Sequence, residues 1–295
     1  METRVAGLAA VEAATELLHR ARLADAEGGL WEAADIQWWW RMPRRSDDVE
    51  QLFWMDADGP VAGALLTDWR EAWGCDLIAV AGVAPGRSEL LGRAVRRSDE
   101  LGLDVVDMLV RDDDTELMSL ATSAGFAATD DRSGEMWMAV EERPEVAPLA
   151  AGFILADRTA AEGAHPMSRR NGEHVEDRLR QCSLYDPALD LSIRTPDGEL
   201  GGYGLFWHDP TTGVGLVEPM RVEDAYQRRG LGRGLLTAGL ERLAGRGSRR
   251  LKVGYATAPA RELYLGCNFR LTATATTWRR SAGAGQGRWR SAGPV

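Results

Sequence analysis

Between Val214 and Gly245 the chain passes from an apolar segment through a glycine turn into a leucine-rich stretch, an order that few folds accommodate. Val214–Val222 has the apolar, β-branched character of a strand. Gln227-Arg228-Arg229-Gly230-Leu231-Gly232-Arg233-Gly234 follows, and then Leu235, Leu236, Leu240 and Leu243 recur at helical spacing. The chain therefore leaves a strand, turns on glycine and enters a helix whose first turn is flanked by arginines. Free N–H groups and the positive end of the helix dipole make such a start an anion site. Glycines let an anion approach the backbone, while Arg228, Arg229 and Arg233 add charge-assisted donors. The segment predicts a pyrophosphate cradle.

Two common nucleotide patterns are excluded. A kinase-type loop ends in Gly-Lys-Ser/Thr, whereas Leu235-Leu236 follow here and the single lysine of the chain is Lys252. A dinucleotide fingerprint needs Gly-x-Gly-x-x-Gly with an acid roughly 20 residues on. Here the glycines fall at 230, 232 and 234, and Glu241 sits inside the same helix. Gln/Arg-x-x-Gly-x-Gly/Ala after a strand resembles the coenzyme A pyrophosphate loop of GCN5-related N-acetyltransferases. The likeness continues through Arg250–Tyr255, a strand, and Ala258–Cys267, a short helix carrying Leu263-Tyr264. Asn268-Phe269 stands where the family has Gly-Phe, and asparagine is the residue after glycine that best tolerates a left-handed cap.

The same plan occurs twice. Residues 1–140 read as a helix from Leu8 to about Arg41, strands at Gln51–Met55, Val61–Trp69 and Asp76–Gly82, and a helix at Ser88–Leu101. A strand at Asp104–Val110, a helix at Thr115–Ser123 closed by Gly125-Phe126, and a strand at Glu135–Val140 complete it. Residues 146–280 repeat the order, with a linker near Glu141–Pro144. The expected fold class is α+β: two tandem domains of the family's type, 1–143 and 144–280, each a mostly antiparallel twisted sheet flanked by helices. A flexible tail is expected over 281–295. The first copy offers Ala81–Glu89 in place of the arginine loop, with no Gly-x-Gly and one arginine, and Ala121 in place of Tyr264. It reads as degenerate, so one coenzyme site per chain is expected, in the second copy.

The resemblance implies acetyl-CoA as acyl donor, contacted by Met220, Arg221 and Val222 along the pantetheine arm and by Arg228, Arg229, Gly230, Leu231, Gly232 and Arg233 at the pyrophosphate. Thr257 takes the usual place of an asparagine that touches the pantetheine. Tyr264 matches the tyrosine that protonates the departing thiolate; a packed core tyrosine would look the same in sequence. The base is less determined, because the position of the family's glutamate is Lys252. Glu218 interrupts an apolar strand beside the thioester, where burial would raise its pKa and suit it to accept a proton; an outward glutamate on a bulge is the alternative. His208 reads as a turn residue or an acceptor-side group, Cys267 as core. Trp38-Trp39-Trp40 cannot all face one side of a helix, so at least one is expected at a contact or pocket.

The implied activity is direct transfer of an acetyl group to a small-molecule primary amine in a ternary complex. The alternatives are a coenzyme A-binding scaffold without turnover, or transfer of a longer acyl group. Net charge −10 argues against nucleic acid as a partner. No apolar run approaches the ~20 residues of a membrane span, and no metal-ligand spacing occurs. Cys75, Cys182 and Cys267 show no pairing pattern, which predicts a reduced, cytoplasmic protein.

Overall fold

A computed structural model describes residues 1–83, 85–160 and 163–281; Ala84 of the first-copy loop and the tail beyond Ser281 lie outside the described residues. The first half contributes β1 (Glu2–Val5), α1 (Gly7–Ala24), α2 (Ala33–Trp39), β2 (Gln51–Met55), β3 (Pro60–Asp68) and β4 (Trp73–Ala79). It continues with α3 (Arg87–Glu100), β5 (Val105–Arg111), α4 (Thr115–Ser123) and β6 (Ala127–Ala139). The second half contributes β7 (Ile154–Asp157), α5 (Ser168–Asn171), α6 (Val175–Leu179), β8 (Asp190–Arg194), β9 (Leu200–His208) and β10 (Val214–Val222). It ends with α7 (Leu231–Gly245), β11 (Arg250–Tyr255), α8 (Ala258–Leu265) and β12 (Arg270–Ser281).

The strands form a single 12-stranded sheet in the order β1-β2-β3-β4-β5-β12-β6-β11-β10-β9-β8-β7. Each half sends its last strand into the other: β12 pairs with β5, from Ala275↔Arg111 to Ser281↔Val105, and β6 pairs with β11. These two strands pair with each other at the centre. The sheets implied by the repeat are thus fused through an exchanged pair. The pairs β4–β5 and β10–β11 are parallel and the other pairs antiparallel, so each half carries one parallel pair at the same point of its plan.

Side chains alternate across the sheet, and the cores follow that alternation. Val217 packs with Leu235, Leu236 and Leu240 of α7, whereas its neighbour Leu216 joins a core under α1 and α2 that also takes in Trp207, Val175 and Leu179. Helices of the first half therefore cover strands of the second. A separate core under α3 gathers Leu52, Leu66, Leu90 and Val110.

The long helix expected over Leu8–Arg41 is two helices. Asp25 accepts hydrogen bonds from the amides of Glu27 (3.0 Å) and Gly28 (2.9 Å), and Gly29 takes φ 72°, so a side-chain-stabilised turn ends α1. Glu32 and Asp35 then form the capping box that starts α2. The four-residue edge strand β1 was not expected, and β6 begins eight residues before Glu135. Its register against β12 shifts between Arg132 and Ala128, and Thr129 Oγ1 donates to Thr277 O at 2.9 Å within that irregularity.

Candidate active site

The parallel pair β10–β11 holds from Val214↔Arg250 to Val217↔Val253 and then parts. β11 continues along β6 to Tyr255↔Gly134, while β10, after a register shift between Val217 and Met220, follows β9 to Val222↔Gly202. A wedge opens between residues 218–222 on one side and 254–255 on the other.

The arginine loop stands at the mouth of this wedge. Arg228 and Gly230 both adopt left-handed backbone, φ 61° and 78°, and Gly230 is the N-cap of α7. The first backbone bond into the helix is Gly234 N–H to Gly230 O at 3.1 Å, so the amides of Leu231, Gly232 and Arg233 precede it without an acceptor among the described residues. A Cβ on Gly232 would meet Leu263 at 3.4 Å, an ordinary contact, while one on Gly234 would strike Leu149 at 2.6 Å. A side chain at Gly234 would have to displace that Leu149 methyl, whereas Gly232 has room, which leaves an open approach to the amides. Arg228 and Arg229 are exposed and make no ion pair among the described residues, whereas Arg233 donates to Gly266 O at 2.9 Å and so ties α7 to α8. Leu231 turns its side chain into the core and offers only its amide. Arg221 is held by Asp224 at 3.0 Å, and Glu223 by Arg170 at 2.6 Å. Met220 and Val222 are half-buried beside the α7 core, and Thr257 is exposed at the N-cap of α8 with its hydroxyl unused by the helix.

Glu218 sits where β10 leaves β11. A cis peptide joins it to Pro219, and Trp207 Nε1 donates to its backbone carbonyl at 2.7 Å. Its carboxyl lies against the Trp38 side chain and near Arg41, and burial pushes its pKa up to about 7 despite both. Tyr264, buried on α8 and edge-on to Phe269 at 6.0 Å, makes no side-chain hydrogen bond among the described residues. Burial first, and the negative charge of Glu218 second, hold its phenol above the usual value, so the two groups share the wedge.

On the face away from α7 the wedge meets a cavity of about 290 Å³. Its floor is shared by five adjacent strands, through Leu109, Ala273, Glu135, Gly254 and Glu218 among others, and its roof is Trp31, Asp35 and Trp39 from the first half. Asp35, Glu32 and Glu135 were not picked out from the sequence. The signal was present for two of them, since Glu32-x-x-Asp35 spells a capping box beside a tryptophan cluster. Lys252, at the family's glutamate position, is 3% exposed. Its Nζ donates to Leu30 O (2.6 Å) and Glu32 (2.9 Å) and lies 3.5 Å from Glu135, so it ties the two halves together. Arg22 forks the same Glu32, and Trp137 Nε1 donates to Glu135 at 2.5 Å.

All three tryptophans of the cluster make contacts at the junction of the halves. Trp38 meets Glu218, Trp39 lines the cavity edge-on to Trp31 at 4.9 Å, and Trp40 donates to Gln181 at 2.9 Å. His208 bonds Ser248 at 2.9 Å at the far end of β9, away from the cavity. Cys267 is fully buried and its thiol is pushed up by burial. Among the described residues no His, Cys, Asp and Glu cluster could hold a metal ion, and no helix is long and apolar enough to cross a membrane.

A parted parallel pair, a glycine-started helix at its mouth and a twofold plan define a tandem acetyltransferase-type fold. Residues 158–269 match the model of the acetyltransferase (GNAT) family. Among curated proteins, the mycothiol acetyltransferase of Clavibacter michiganensis subsp. michiganensis is 33% identical over 177 residues, covering 56% of this chain and 54% of the relative. That of Clavibacter sepedonicus is 30% identical over 168 residues with the same coverage. The matched stretch spans about half the length of these relatives. Among solved structures, a tandem GNAT protein from the clavulanic acid biosynthesis pathway superposes with a TM-score of 0.70 at 16% identity, over 97% of this chain and 99% of that one. A GCN5-related N-acetyltransferase from Sphaerobacter thermophilus follows at 0.61 and 17%, with 95% of each chain covered. These two likenesses extend the fold to the whole chain.

Proposed function

We propose that the chain is an acetyl-CoA-dependent N-acetyltransferase acting on a small-molecule primary amine, built from domains 1–143 and 144–280, with one coenzyme site in the second. The observation that carries this reading is the wedge itself. One opening faces the unpaired amides of α7, the other a partly open cavity, and Glu218 and Tyr264 stand between them. The names of the curated relatives support acetyl as the transferred group and a small molecule as acceptor.

The donor would supply a thioester carbonyl as electrophile and a thiolate as leaving group. Arg228, Arg229 and the amides of residues 231–233 would hold its pyrophosphate. The backbone of Met220, Arg221 and Val222, with Thr257 opposite, would hold the pantetheine. Glu218, with a pKa near neutrality, takes a proton from the acceptor ammonium and frees the nitrogen lone pair. As the new C–N bond forms and the C–S bond breaks, Tyr264 gives its proton to the sulfur, and the second proton shed by the nitrogen restores the phenol, directly or through water. Transfer is direct: Cys267 is enclosed and its thiol is held in the protonated form, which argues against an acyl-cysteine. Three buried, unpaired thiols also suit a reducing compartment, which we take to be the cytoplasm.

The test is initial-rate kinetics with acetyl-CoA and an amine panel, for wild type and Tyr264→Phe. The reading expects turnover that drops in the variant while coenzyme affinity is kept. Unchanged turnover would remove Tyr264 from the mechanism. Coenzyme binding without turnover on any amine would favour a coenzyme A-binding scaffold instead.

A further inference from the structure

The acceptor side of Glu218 is built largely by the other half of the chain. Asp35 belongs to the cavity roof, is 8% exposed, and uses one carboxyl oxygen, Oδ2, to accept the Glu32 amide at 2.7 Å. Its other oxygen has no donor among the described residues. Asp35 and Glu218 line the same cavity, and the negative charge of Glu218 adds to the burial that raises Asp35. Four acids, Glu32, Asp35, Glu135 and Glu218, gather around the cavity with the cations Arg22, Lys252 and Arg41. The Lys252 ammonium donates to Leu30 O and Glu32 and lies 3.5 Å from Glu135, so its charge is set against those two acids. The remaining walls are mainly apolar or aromatic, with Trp31 and Trp39 edge-on and Leu109 and Leu216 below, and carry Ser133 and Thr274.

We propose that the acceptor enters as an ammonium ion on a small hydrophobic body and is held between Asp35 of α2 and Glu218 of β10. The first half is then the element that reads the acceptor, and Asp35 is its specificity residue. This rests on the wedge being the transfer site. An ammonium supplies the donor that the free Asp35 oxygen lacks, within reach of a second acid on the facing strand. Burial pushes Asp35 up to about 8 and Glu218 up to about 7, the direction expected of carboxyls awaiting a cation.

Binding can be read without turnover, by calorimetric titration of 2-phenylethylamine and its uncharged counterpart 2-phenylethanol into the protein at pH 8. Wild type is expected to bind the amine at least about tenfold more tightly than the alcohol. Asp35→Asn, which keeps an oxygen to accept the Glu32 amide, is expected to remove most of that preference and leave alcohol and acetyl-CoA affinities within about twofold. Equal affinities in wild type would overturn the proposal, as would no binding of either compound or an unchanged preference in Asp35→Asn. The wild-type comparison alone decides if the variant folds poorly. An amine preference without acetyl transfer would sustain the pocket and sink the transfer reading; transfer without amine preference would do the reverse.

Discussion

The starts of α3 and α7 occupy the same place in the two halves and have opposite fates. At α7, Gly230 takes φ 78°, three amides have no acceptor among the described residues, and Arg228 and Arg229 make no ion pair. At α3, the N-cap Gly86 is ordinary extended backbone at φ −66°. Arg87 reaches both carboxyl oxygens of Asp114, at 2.6 and 2.7 Å, and Asp114 also caps α4 through the Leu117 amide at 3.0 Å. The one arginine at the start of α3 is thus spent on a carboxylate of its own half. Thr257 stands at the corresponding cap in the second half and brings no charge. The buried acids of the splayed strands divide similarly. Asp76 on β4 is hydrogen-bonded by Trp31 and lies outside the cavity lining, while Glu218, bonded by Trp38, faces it. The two halves thus differ at these points by a small set of side chains on one shared backbone plan.

Paired substitutions test this contrast. Glu218→Gln is expected to lower kcat/KM by about 10²–10⁴-fold, the usual contribution of a positioned base, while Asp76→Asn leaves it within about twofold. Equal losses would mean that the two halves share the chemistry. Tyr264→Phe is expected to cost about 10²-fold in kcat with acetyl-CoA affinity retained, whereas its first-half counterpart is the buried Ala121, which has nothing to lose.

The pH dependence follows from the same acid. Glu218 has its pKa raised to about 7 and acts when ionised, so kcat/KM should rise about tenfold per pH unit below 7 and level off above it. Stability runs the other way. Asp35 and Glu218 are higher in the folded chain than their ordinary values of 3.8 and 4.5, so their contribution is complete below about 4. It is lost as pH rises through 7 to 8. Melting midpoints should fall between pH 5 and 9, and less steeply in Asp35→Asn. The smallest effect is expected from Arg87→Ala: under about 1 kcal/mol of stability for a half-exposed ion pair, and no change in coenzyme binding.

The second half was the more legible in sequence because its signals are local. A strand, a glycine turn and a leucine repeat lie within 32 residues, and the boundaries of β10 and β11 came out as read. The repeat gave the order of elements in both halves. The exchange of β6 and β12 was not visible, since strand neighbours across a sheet leave no mark in chain order. The cavity roof was hidden for a related reason. Asp35 and Glu135 are acids of unremarkable local context that become buried only when the first half folds over the second. Lys252 was recognised as a departure from the family's glutamate, but its partners Glu32 and Glu135 lie 220 and 117 positions away in sequence. Glu218 was legible because an acid within an apolar strand stands out wherever the partner surface comes from.

The central claim, one working cradle per chain and that one at α7, is tested most directly by calorimetric titration of acetyl-CoA into wild type and Gly232→Glu. The backbone has room for the new Cβ, so the variant should fold and simply place a carboxylate over the free amides. The account predicts one equivalent bound by wild type and none by the variant. Two equivalents per chain, or binding that survives in Gly232→Glu, would contradict it.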